Sequence, residues 1–559
     1  MKSTLPFVSW LALAKGAIVH QQPLPTVDLG YQVHRAISFD ETIKAYNFTN
    51  IAFAEPPLGS LRFNAPVPPK GRKSGIQDGS VGKVCPQAFP NWLAMSSVFT
   101  TAFAANQTSS FNVTQTEELL SQLPPQAPDG RTTEDCLVLD VLVPQKVFNA
   151  KRSKASKGAP VLVWIYGGGY ILGDKTMMGV PNGVMAATQT KGSDGAIWVA
   201  MNYRLGAFGF LSGPTFLEQG GVANAGLLDQ RLALEWVQKN IHLFGGDPDN
   251  VTVMGVSAGG GSIMHQITAY GGQKPAPFRR AIPQSAGLVP VPGNKKAEQA
   301  FDGFLELLNV TTLAEARALS SEKLIAANAK QVSTAPYGVF VHGPTVDGSF
   351  VPGMPSKLFL QGSYAKDIEI ISTFNANEGV LFTDPAAYND ETLFRKQIQD
   401  IFTTLSSDDA DFIFETLYPT KYDGSMPYTN SLGRAQLVIA EASFFCNQNA
   451  MAKAAQKQGV AAFGFQNSIW PAIHGSDQRY LFPSGPTTAA DAQVSSVMWD
   501  IIAGFVNNGS PIKPPVHGVS IPAYGKSDSI LNLRDNAYSI IRDPTTNARC
   551  DWWQKALYY

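Results

Sequence analysis

The sequence predicts an α/β fold built on one large, mostly parallel sheet. Short apolar runs recur along the 559-residue chain, and segments with helical spacing lie between them. Runs that are apolar on both faces fit strands covered on each side, and their alternation with helices is typical of an open α/β sheet. The predicted strands are residues 161–166, 196–203, 251–254, 368–374 and 461–465. The predicted helices are residues 228–241, 258–268, 296–308 and 494–506.

These elements are expected to form a single domain, from about residue 20 to residue 559. No stretch of Pro, Ser or Gly is long enough to act as a linker, and no internal repeat or heptad occurs. Large α/β enzymes reach this length as one unit. Helical segments between residues 391 and 455 are interpreted as an excursion above the sheet rather than as a second domain.

The N-terminus predicts a secretory signal peptide over residues 1–14, possibly extending to about residue 20. Lys2 precedes an apolar run that ends in Ala12-Leu13-Ala14, where a signal peptidase needs small residues. No later run reaches the roughly 18 apolar residues of a membrane span, so no transmembrane anchor is expected. A net charge of −1, from 43 basic and 44 acidic residues, gives nucleic acid no electrostatic reason to bind.

Four cysteines, at positions 85, 136, 446 and 550, have no metal-like spacing. A metal site is therefore not expected. In a secreted protein the even number indicates two disulfides, and the spacing alone leaves all three pairings open. Six N-x-[ST] sequons are candidate glycosylation sites, at Asn47, Asn106, Asn112, Asn250, Asn309 and Asn508.

A nucleophile is predicted where the strand 251–254 runs into Gly255-Val256-Ser257-Ala258-Gly259, followed by a helix. This strand, tight turn and helix form the context of a nucleophile elbow, in which Ser257 projects its hydroxyl from the turn. The two glycines allow backbone to pack against the neighbouring elements. The helix N-terminus adds partial positive charge where an oxyanion would form.

A glycine run, Gly167-Gly168-Gly169, directly follows the predicted strand 161–166. Glycines let backbone N–H groups face a substrate without obstruction by a Cβ atom, as an oxyanion hole requires. The alternative, a loop that cradles a dinucleotide, lacks both the G-x-G-x-x-G spacing and a following acidic ribose ligand.

Four segments together resemble the type-B carboxylesterase, cholinesterase and lipase family of α/β-hydrolases. They are FGGDPDNVTVMGVSAG at 244–259, EDCLVLDV at 134–141, AEPPLGSLRF at 54–63 and NYRLGAFG at 202–209. Val138 departs from the Tyr or Thr usual in the second segment. The resemblance extends from about residue 25 to residue 552, and the sequence is similar to those of secreted fungal members. It implies the α/β-hydrolase fold and a Ser-His-Glu esterase without cofactor.

By this resemblance the oxyanion is held by the backbone amides of Gly168, Gly169 and Ala258. The general base is His474, which follows the strand 461–465. Of the other histidines after Ser257, His265 lies on the same helix, roughly 12 Å along it, and is expected to be structural. His342 and His517 are expected in a pocket wall or structural position and in an exposed loop.

The resemblance also assigns the acid. Glu378 stands in the N-x-x-E-G pattern after the strand 368–374, where the family places its triad glutamate. It would hold the tautomer of His474 and stabilise the imidazolium. Ser285 matches a family serine that supports this carboxylate.

Further pairings come from the resemblance alone. It implies the disulfides Cys85–Cys136 and Cys446–Cys550, and structural ion pairs Arg62–Glu134 and Arg204–Asp247. A third family disulfide, near residues 300–330, has no cysteines here.

Departures from the family narrow the expected substrate. Val256 replaces a glutamate common beside the nucleophile, and Leu381 replaces an aromatic residue of the choline site. Since a cation–π cage needs aromatic rings, cholinesterase activity is not expected. The acyl-pocket region 288–292 is aliphatic where cholinesterases place Trp. The loop 85–136 carries apolar residues that form either a lid or a packed wall: Phe89, Trp92, Leu93, Met95, Val98, Phe99 and Phe103.

The sequence thus predicts a secreted serine carboxylic ester hydrolase acting on a small-molecule or lipid ester, as a monomer or homodimer. One alternative is a lipase or sterol esterase acting on long-chain esters. A second is a dedicated esterase for one secondary-metabolite ester. A more distant alternative is a non-catalytic adhesion protein of the same family, although all three triad candidates are present.

Overall fold

The computed structural model describes residues 23–123, 129–150, 158–190, 192–288, 293–485, 487–511, 519–535 and 537–559. The predicted signal peptide, His517 and positions 289–292 of the aliphatic segment lie outside these residues. Within them, no helix combines the length and the apolar character that crossing a membrane requires.

The described residues contain one large sheet and one small one. The strands are β1 Thr26–Asp28, β2 Val33–Arg35, β3 Ser38–Asp40, β4 Ala45–Ala52, β5 Ile76–Gln77, β6 Val138–Pro144, β7 Ala159–Ile165, β8 Ile197–Met201, β9 Gly246–Val256, β10 Arg280–Gln284, β11 Glu369–Asn375, β12 Ala462–Asn467, β13 Ser529–Arg534 and β14 Ala537–Arg542. The large sheet has the order β14-β13-β12-β11-β10-β9-β7-β8-β6-β4-β3, and the small one β1-β2-β5.

Helices connect and cover these strands. They are α1 Trp92–Ala104, α2 Val113–Ser121, α3 Gln145–Ala150, α4 Asn182–Thr188, α5 Gly206–Phe210, α6 Pro214–Glu218, α7 Ala225–Asn240, α8 Ala258–Thr268, α9 Asn294–Leu308, α10 Leu313–Ala318, α11 Ser321–Ser333, α12 Pro355–Gln361, α13 Glu391–Ile401, α14 Ser407–Asp411, α15 Ser431–Ala440, α16 Cys446–Lys457, α17 Gln478–Leu481, α18 Ala489–Asn508 and α19 Ala548–Trp553. Short π-helical segments Phe412–Leu417 and Glu441–Phe445 interrupt the excursion.

The centre of the large sheet is parallel, from β8 through β7, β9, β10, β11 and β12 to β13. Its strands are buried on both faces, as the apolar runs predict; all five residues of β8 are buried. Both edges are antiparallel, where β14 pairs with β13 and β6 pairs with β8 and β4. The predicted α/β-hydrolase fold is confirmed.

The predicted elements differ from the observed ones mainly in length. Helix α18 is longer than the predicted 494–506 because the side chain of Thr488 caps its exposed first turn and Gly509, with φ 70°, ends it. Such exposed ends carry no large apolar residues at helical spacing, so the pattern of apolar residues alone misses them.

Of the two ion pairs implied by the resemblance, one is present and the other is not. Arg62 pairs with Glu134 as expected, with both side chains buried and Nη2 2.7 Å from Oε1. The pair Arg204–Asp247 is wrong. Arg204 instead bonds Asp229 on α7, through its backbone N–H at 3.0 Å and its guanidinium at 2.7 and 2.8 Å. Asp229 is fully buried, so it requires a bidentate partner, whereas Asp247 accepts from the N–H of Asp249.

Both disulfides are formed as the resemblance implies, Cys85–Cys136 and Cys446–Cys550. The first closes the segment that contains α1 and α2, here called the flap (residues 85–136). The second ties α16 to the C-terminal helix α19. In the chain-entropy account, cross-links of such length stabilise the folded state by about 4–5 kcal/mol each.

Candidate active site

The carboxyl ends of four parallel strands bring the predicted site residues to one edge of the sheet. Ser257 follows β9, the glycine run follows β7, Glu378 follows β11 and His474 follows β12. Ligand sites of open α/β sheets lie at this edge, because the loops after parallel strands meet there.

Ser257 occupies a sharp turn between β9 and α8. Its φ of 57° and ψ of −123° are unusual for a residue with a side chain, which is the strain expected of a nucleophile elbow. A Cβ atom added to Gly259 would lie 2.1 Å from the carbonyl oxygen of Ile165, and one added to Gly255 would lie 2.7 Å from the same oxygen. The two elbow glycines are therefore required by backbone packing, as the sequence predicts.

The glycine run lies directly against Ser257. A Cβ atom added to Gly167 would be 2.8 Å from the Cβ of Ser257. Gly168 and Gly169 have φ angles of 115° and 60°, which glycine adopts without strain. A Cβ atom on Gly169 would overlap the ring of Phe340, at 2.0 Å. Phe340 is thus a site residue that the sequence analysis missed.

Glu378 and His474 are in direct contact. Nδ1 of His474 is hydrogen-bonded to Oε2 of Glu378, whose side chain is 0% exposed. The other carboxylate oxygen, Oε1, accepts from the hydroxyl of Ser285 and from the backbone N–H of Asn375, both at 2.6 Å. Hydrogen bonds to charged groups are the strong ones, so these donors offset the burial of the carboxylate. Ser285 thus contacts the carboxylate that the resemblance expects it to support.

Two further polar residues complete this network, and the sequence analysis did not single them out. The amide nitrogen of Asn375 lies 3.2 Å from both Glu378 Oε1 and Asp477 Oδ1. Its amide oxygen accepts from Asn467 at 2.7 Å and from Ser476 at 3.2 Å. Burial raises the pKa of Asp477, and the neighbouring Glu378 carboxylate raises it further.

Aromatic side chains connect His474 to the nucleophile side. The ring of Phe444, from the π-helical segment Glu441–Phe445, lies with its centroid 4.5 Å from that of His474. The same ring would be 3.0 Å from a Cβ atom on Gly287, whose N–H donates to the carbonyl of Ser257 at 2.9 Å. π-Helical turns often occur at functional sites because they redirect side chains.

The sequence profile of the carboxylesterase family matches residues 34–553. The chain belongs to the carboxylesterase family. The carboxylesterase patB of Aspergillus clavatus is 42% identical over 98% of this chain and 99% of its own length. The carboxylesterase patB of Penicillium expansum is 39% identical over 99% and 100%. A secreted lipase of Arthroderma benhamiae is 32% identical over 76% and 83%. The protein is accordingly a carboxylic ester hydrolase.

Solved structures agree with this fold. The crystal structure of Aspergillus niger EstA superposes with a TM-score of 0.77 at 23% identity, over 95% of this chain and 98% of that one. A structure described as PNB esterase gives a TM-score of 0.72 at 26% identity, over 95% and 99%.

In this carboxylesterase the flap helix α1 packs on the body of the protein. Trp92, Met95 and Phe99 of α1 are buried, whereas Phe89 and Val98 are exposed. Leu93 and Phe103 are half-buried. The Trp92 ring contacts Phe340, at 5.4 Å between centroids, and Phe382, at 6.3 Å. Most of these apolar side chains therefore pack against the body rather than facing solvent.

Leu381 follows Glu378 by three residues, and Val256 directly precedes Ser257. The hydroxyl of Ser96, on α1, donates to the carbonyl of Leu381. Val256 ends β9, is buried and pairs in register with Gln284 of β10. An apolar side chain therefore lies beside the elbow. The next residue in the 381–382 segment, Phe382, contacts the His474 ring at 5.1 Å.

Two further histidines of the carboxylesterase, His265 and His342, lie outside the site network. His265 lies buried on α8, and burial lowers its pKa to about 3. His342 is buried beside Gln331, at 3.0 Å, and burial likewise lowers its pKa to about 3. In the described residues, no cluster of three His, Cys, Asp or Glu side chains could hold a metal ion.

Proposed function

We propose that this carboxylic ester hydrolase uses Ser257 as nucleophile, His474 as general base and Glu378 as the orienting acid. The contact between His474 Nδ1 and Glu378 Oε2 carries the proposal. It leaves Nε2 as the ring nitrogen available to the serine hydroxyl, and it stabilises the imidazolium that forms when that hydroxyl loses its proton. Ser285 and Asn375 hold the carboxylate in the required orientation.

The reaction would proceed through an acyl-enzyme. Ser257 attacks the ester carbonyl while His474 takes its proton, and a tetrahedral intermediate forms. The amides of Gly168, Gly169 and Ala258 would hold the oxyanion, each lowering the barrier by about 2.7–4 kcal/mol. His474 then protonates the departing alcohol, and water activated by His474 releases the acid by the same route.

Relatives favour a carboxylesterase over a lipase. The relatives at 42% and 39% identity are named carboxylesterase, whereas that at 32% is a secreted lipase. A dedicated esterase for one secondary-metabolite ester is the remaining alternative.

Hydrolysis of p-nitrophenyl acetate, butyrate, octanoate and palmitate by wild type and by Ser257→Ala tests the mechanism. We expect activity on the short esters without activation by a lipid interface. The alanine variant should lose about 10⁶-fold in kcat. Ser262, buried on the same helix, offers a matched Ser262→Ala control. Equal activity of wild type and Ser257→Ala would overturn the mechanism. A rise in the rate of hydrolysis of the palmitate ester above its critical micelle concentration would identify a lipase.

We also propose that residues 1–14 direct secretion and that glycans occupy exposed sequons. Two buried disulfides support passage through an oxidising compartment. Asn47 and Asn250 are half-buried, so occupancy is expected at the exposed positions Asn106, Asn112, Asn309 and Asn508. N-terminal sequencing and glycopeptide mapping of protein recovered from the medium of a fungal expression host test both statements. Retention of Met1 in exported protein would contradict the signal peptide.

A further inference from the structure

The flap helix α1 ends against the loop that carries His474. The ring of Phe103, in the last turn of α1, stacks on the indole of Trp470, with centroids 4.9 Å apart and planes at 28°. The indole N–H donates to the carbonyl oxygen of Ala104 at 2.8 Å. Terminal helix carbonyls have no partner within the helix, so this bond supplies one. Trp470 therefore fixes the end of the flap helix to a point four residues before His474.

Hydrogen bonds from Asn377 hold the backbone between Trp470 and His474 in place. The N–H of Asn377 donates to the carbonyl of Ala472 at 2.8 Å, and its side-chain amide donates to the carbonyl of Pro471 at 2.8 Å. Asn377 directly precedes Glu378. Ala472 has a φ of 49°, a conformation that a residue with a side chain keeps only where its surroundings fix it. A displacement of Trp470 would therefore be passed to the backbone on both sides of the acid–base contact.

The exposure of Trp470 sets it apart from the tryptophans of the core. Its side chain is 42% exposed, whereas Trp164 and Trp553 are almost fully buried. Its ring stack and its hydrogen bond are both made with α1. At its other end α1 also contacts the acid loop, through the hydroxyl of Ser96 and the carbonyl of Leu381. One helix thus touches the loops of both the acid and the base.

We propose that Trp470 is a positioning residue that couples the seating of the flap helix to the alignment of His474 with Glu378. The proposal rests on the triad mechanism proposed above and goes beyond it. When α1 is seated, the indole supports the base loop from outside. Without these contacts to α1 that support is lost, so we expect the full rate only while α1 stays packed on the body.

The variants Trp470→Ala and Trp470→Phe test this role on a soluble short-chain p-nitrophenyl ester. We expect Trp470→Ala to lower kcat about tenfold with KM within about twofold, because misplaced catalytic groups slow chemistry more than binding. Phenylalanine keeps a ring for the stack but loses the N–H donor, and should lower kcat about threefold. Inactivation of Ser257 by a small organophosphonate should slow in parallel, since it depends on the same base.

A second substitution on the flap side sharpens the test. Phe103→Ala removes the same stack from α1, so its effect and that of Trp470→Ala should combine less than additively. Trp236→Phe is the matched control, because that indole donates at 2.9 Å to Tyr31, away from the acid and base loops. It should keep the wild-type kcat.

Titration of active sites by the burst of nitrophenol separates a slower site from a smaller folded fraction. An unchanged number of sites with a lower kcat supports the proposal. Fewer sites with an unchanged rate per site would show that Trp470 only stabilises the fold, and would overturn it. Wild-type kcat in both Trp470 variants would overturn it as well. Since Ser257→Ala is assayed in parallel, failure of the triad mechanism would appear separately.

Discussion

The two sides of the candidate site are held in different ways. Around Ser257 the contacts are between backbones, and glycines at 167, 255 and 259 leave no room for an added atom. Around Glu378 and His474 the contacts are hydrogen bonds between side chains, which converge on the carboxylate and on the amide of Asn375. The first side depends on shape and the second on charge and donor placement.

This difference means that the two sides should fail differently. An extra methyl group on the nucleophile side forces backbone apart and destabilises the fold. An isosteric change on the acid–base side keeps the shape, so it should leave the protein folded but slow the chemistry. Measurements of stability and of rate on matched variants can separate the two behaviours.

Among the variants that compare the two sides, the largest effect is expected from Glu378→Gln. The amide keeps the size of the side chain but removes the negative charge and offers a donor to Nδ1 of His474, which favours the wrong tautomer. We expect kcat to fall about 10³–10⁴-fold while thermal unfolding changes little. Glu235→Gln, at an exposed position of α7, is the control. A loss of less than tenfold in kcat would refute the acid role of Glu378.

A smaller effect, on stability rather than rate, is expected from Gly259→Ala. The new Cβ atom would lie 2.1 Å from the carbonyl of Ile165 and 2.8 Å from that of Tyr166, and neither backbone atom can swing aside. We expect a loss of about 3 kcal/mol in the free energy of unfolding, measured with urea. Gly525→Ala, whose nearest atom would be at an ordinary 3.7 Å, should change it by less than about 1 kcal/mol. Equal stability of the two variants would contradict the packing argument.

The smallest effect sharpens the comparison between two histidines. His474 has a carboxylate partner, whereas His265, buried behind the elbow, has a pKa lowered to about 3. The folded protein keeps His265 neutral, but the unfolded chain protonates it below about pH 6.5. Stability from this group is therefore present above pH 6.5 and declines as the pH falls toward 3. Between pH 7 and pH 5 the loss should be about 2 kcal/mol.

His265→Leu tests this pH dependence of stability, because it replaces the titrating group with an apolar side chain of similar size. Urea unfolding at pH 7, 6 and 5 should show a decline that is smaller in the variant by about 2 kcal/mol. Parallel declines in the two proteins would show that His265 is protonated in the folded state or reaches solvent.

The nucleophile side can be predicted from the sequence, because glycines at fixed spacing and a strand before a helix are local signals. The acid–base side cannot be predicted in this way. Asn375 and Asp477 lie about a hundred residues apart, and only the pairing of β11 with β12 brings them together. A π-helical turn orients Phe444, and such a turn cannot be recognised from the spacing of apolar residues. The wrong partner for Arg204 has the same origin, since Asp229 and Asp247 are equally acidic in sequence and only burial distinguishes them.

The order of the site's segments along the chain also fixes the order in which they can come together during synthesis. The elbow and the glycine run belong to β9 and β7, which are adjacent in the sheet and come early in the chain. The proposed general base arrives only with the loop after β12, 96 residues beyond the proposed acid. A chain released before residue 474 would carry the proposed nucleophile without its base. By the proposed mechanism, ester hydrolysis therefore cannot begin until most of the polypeptide has left the ribosome.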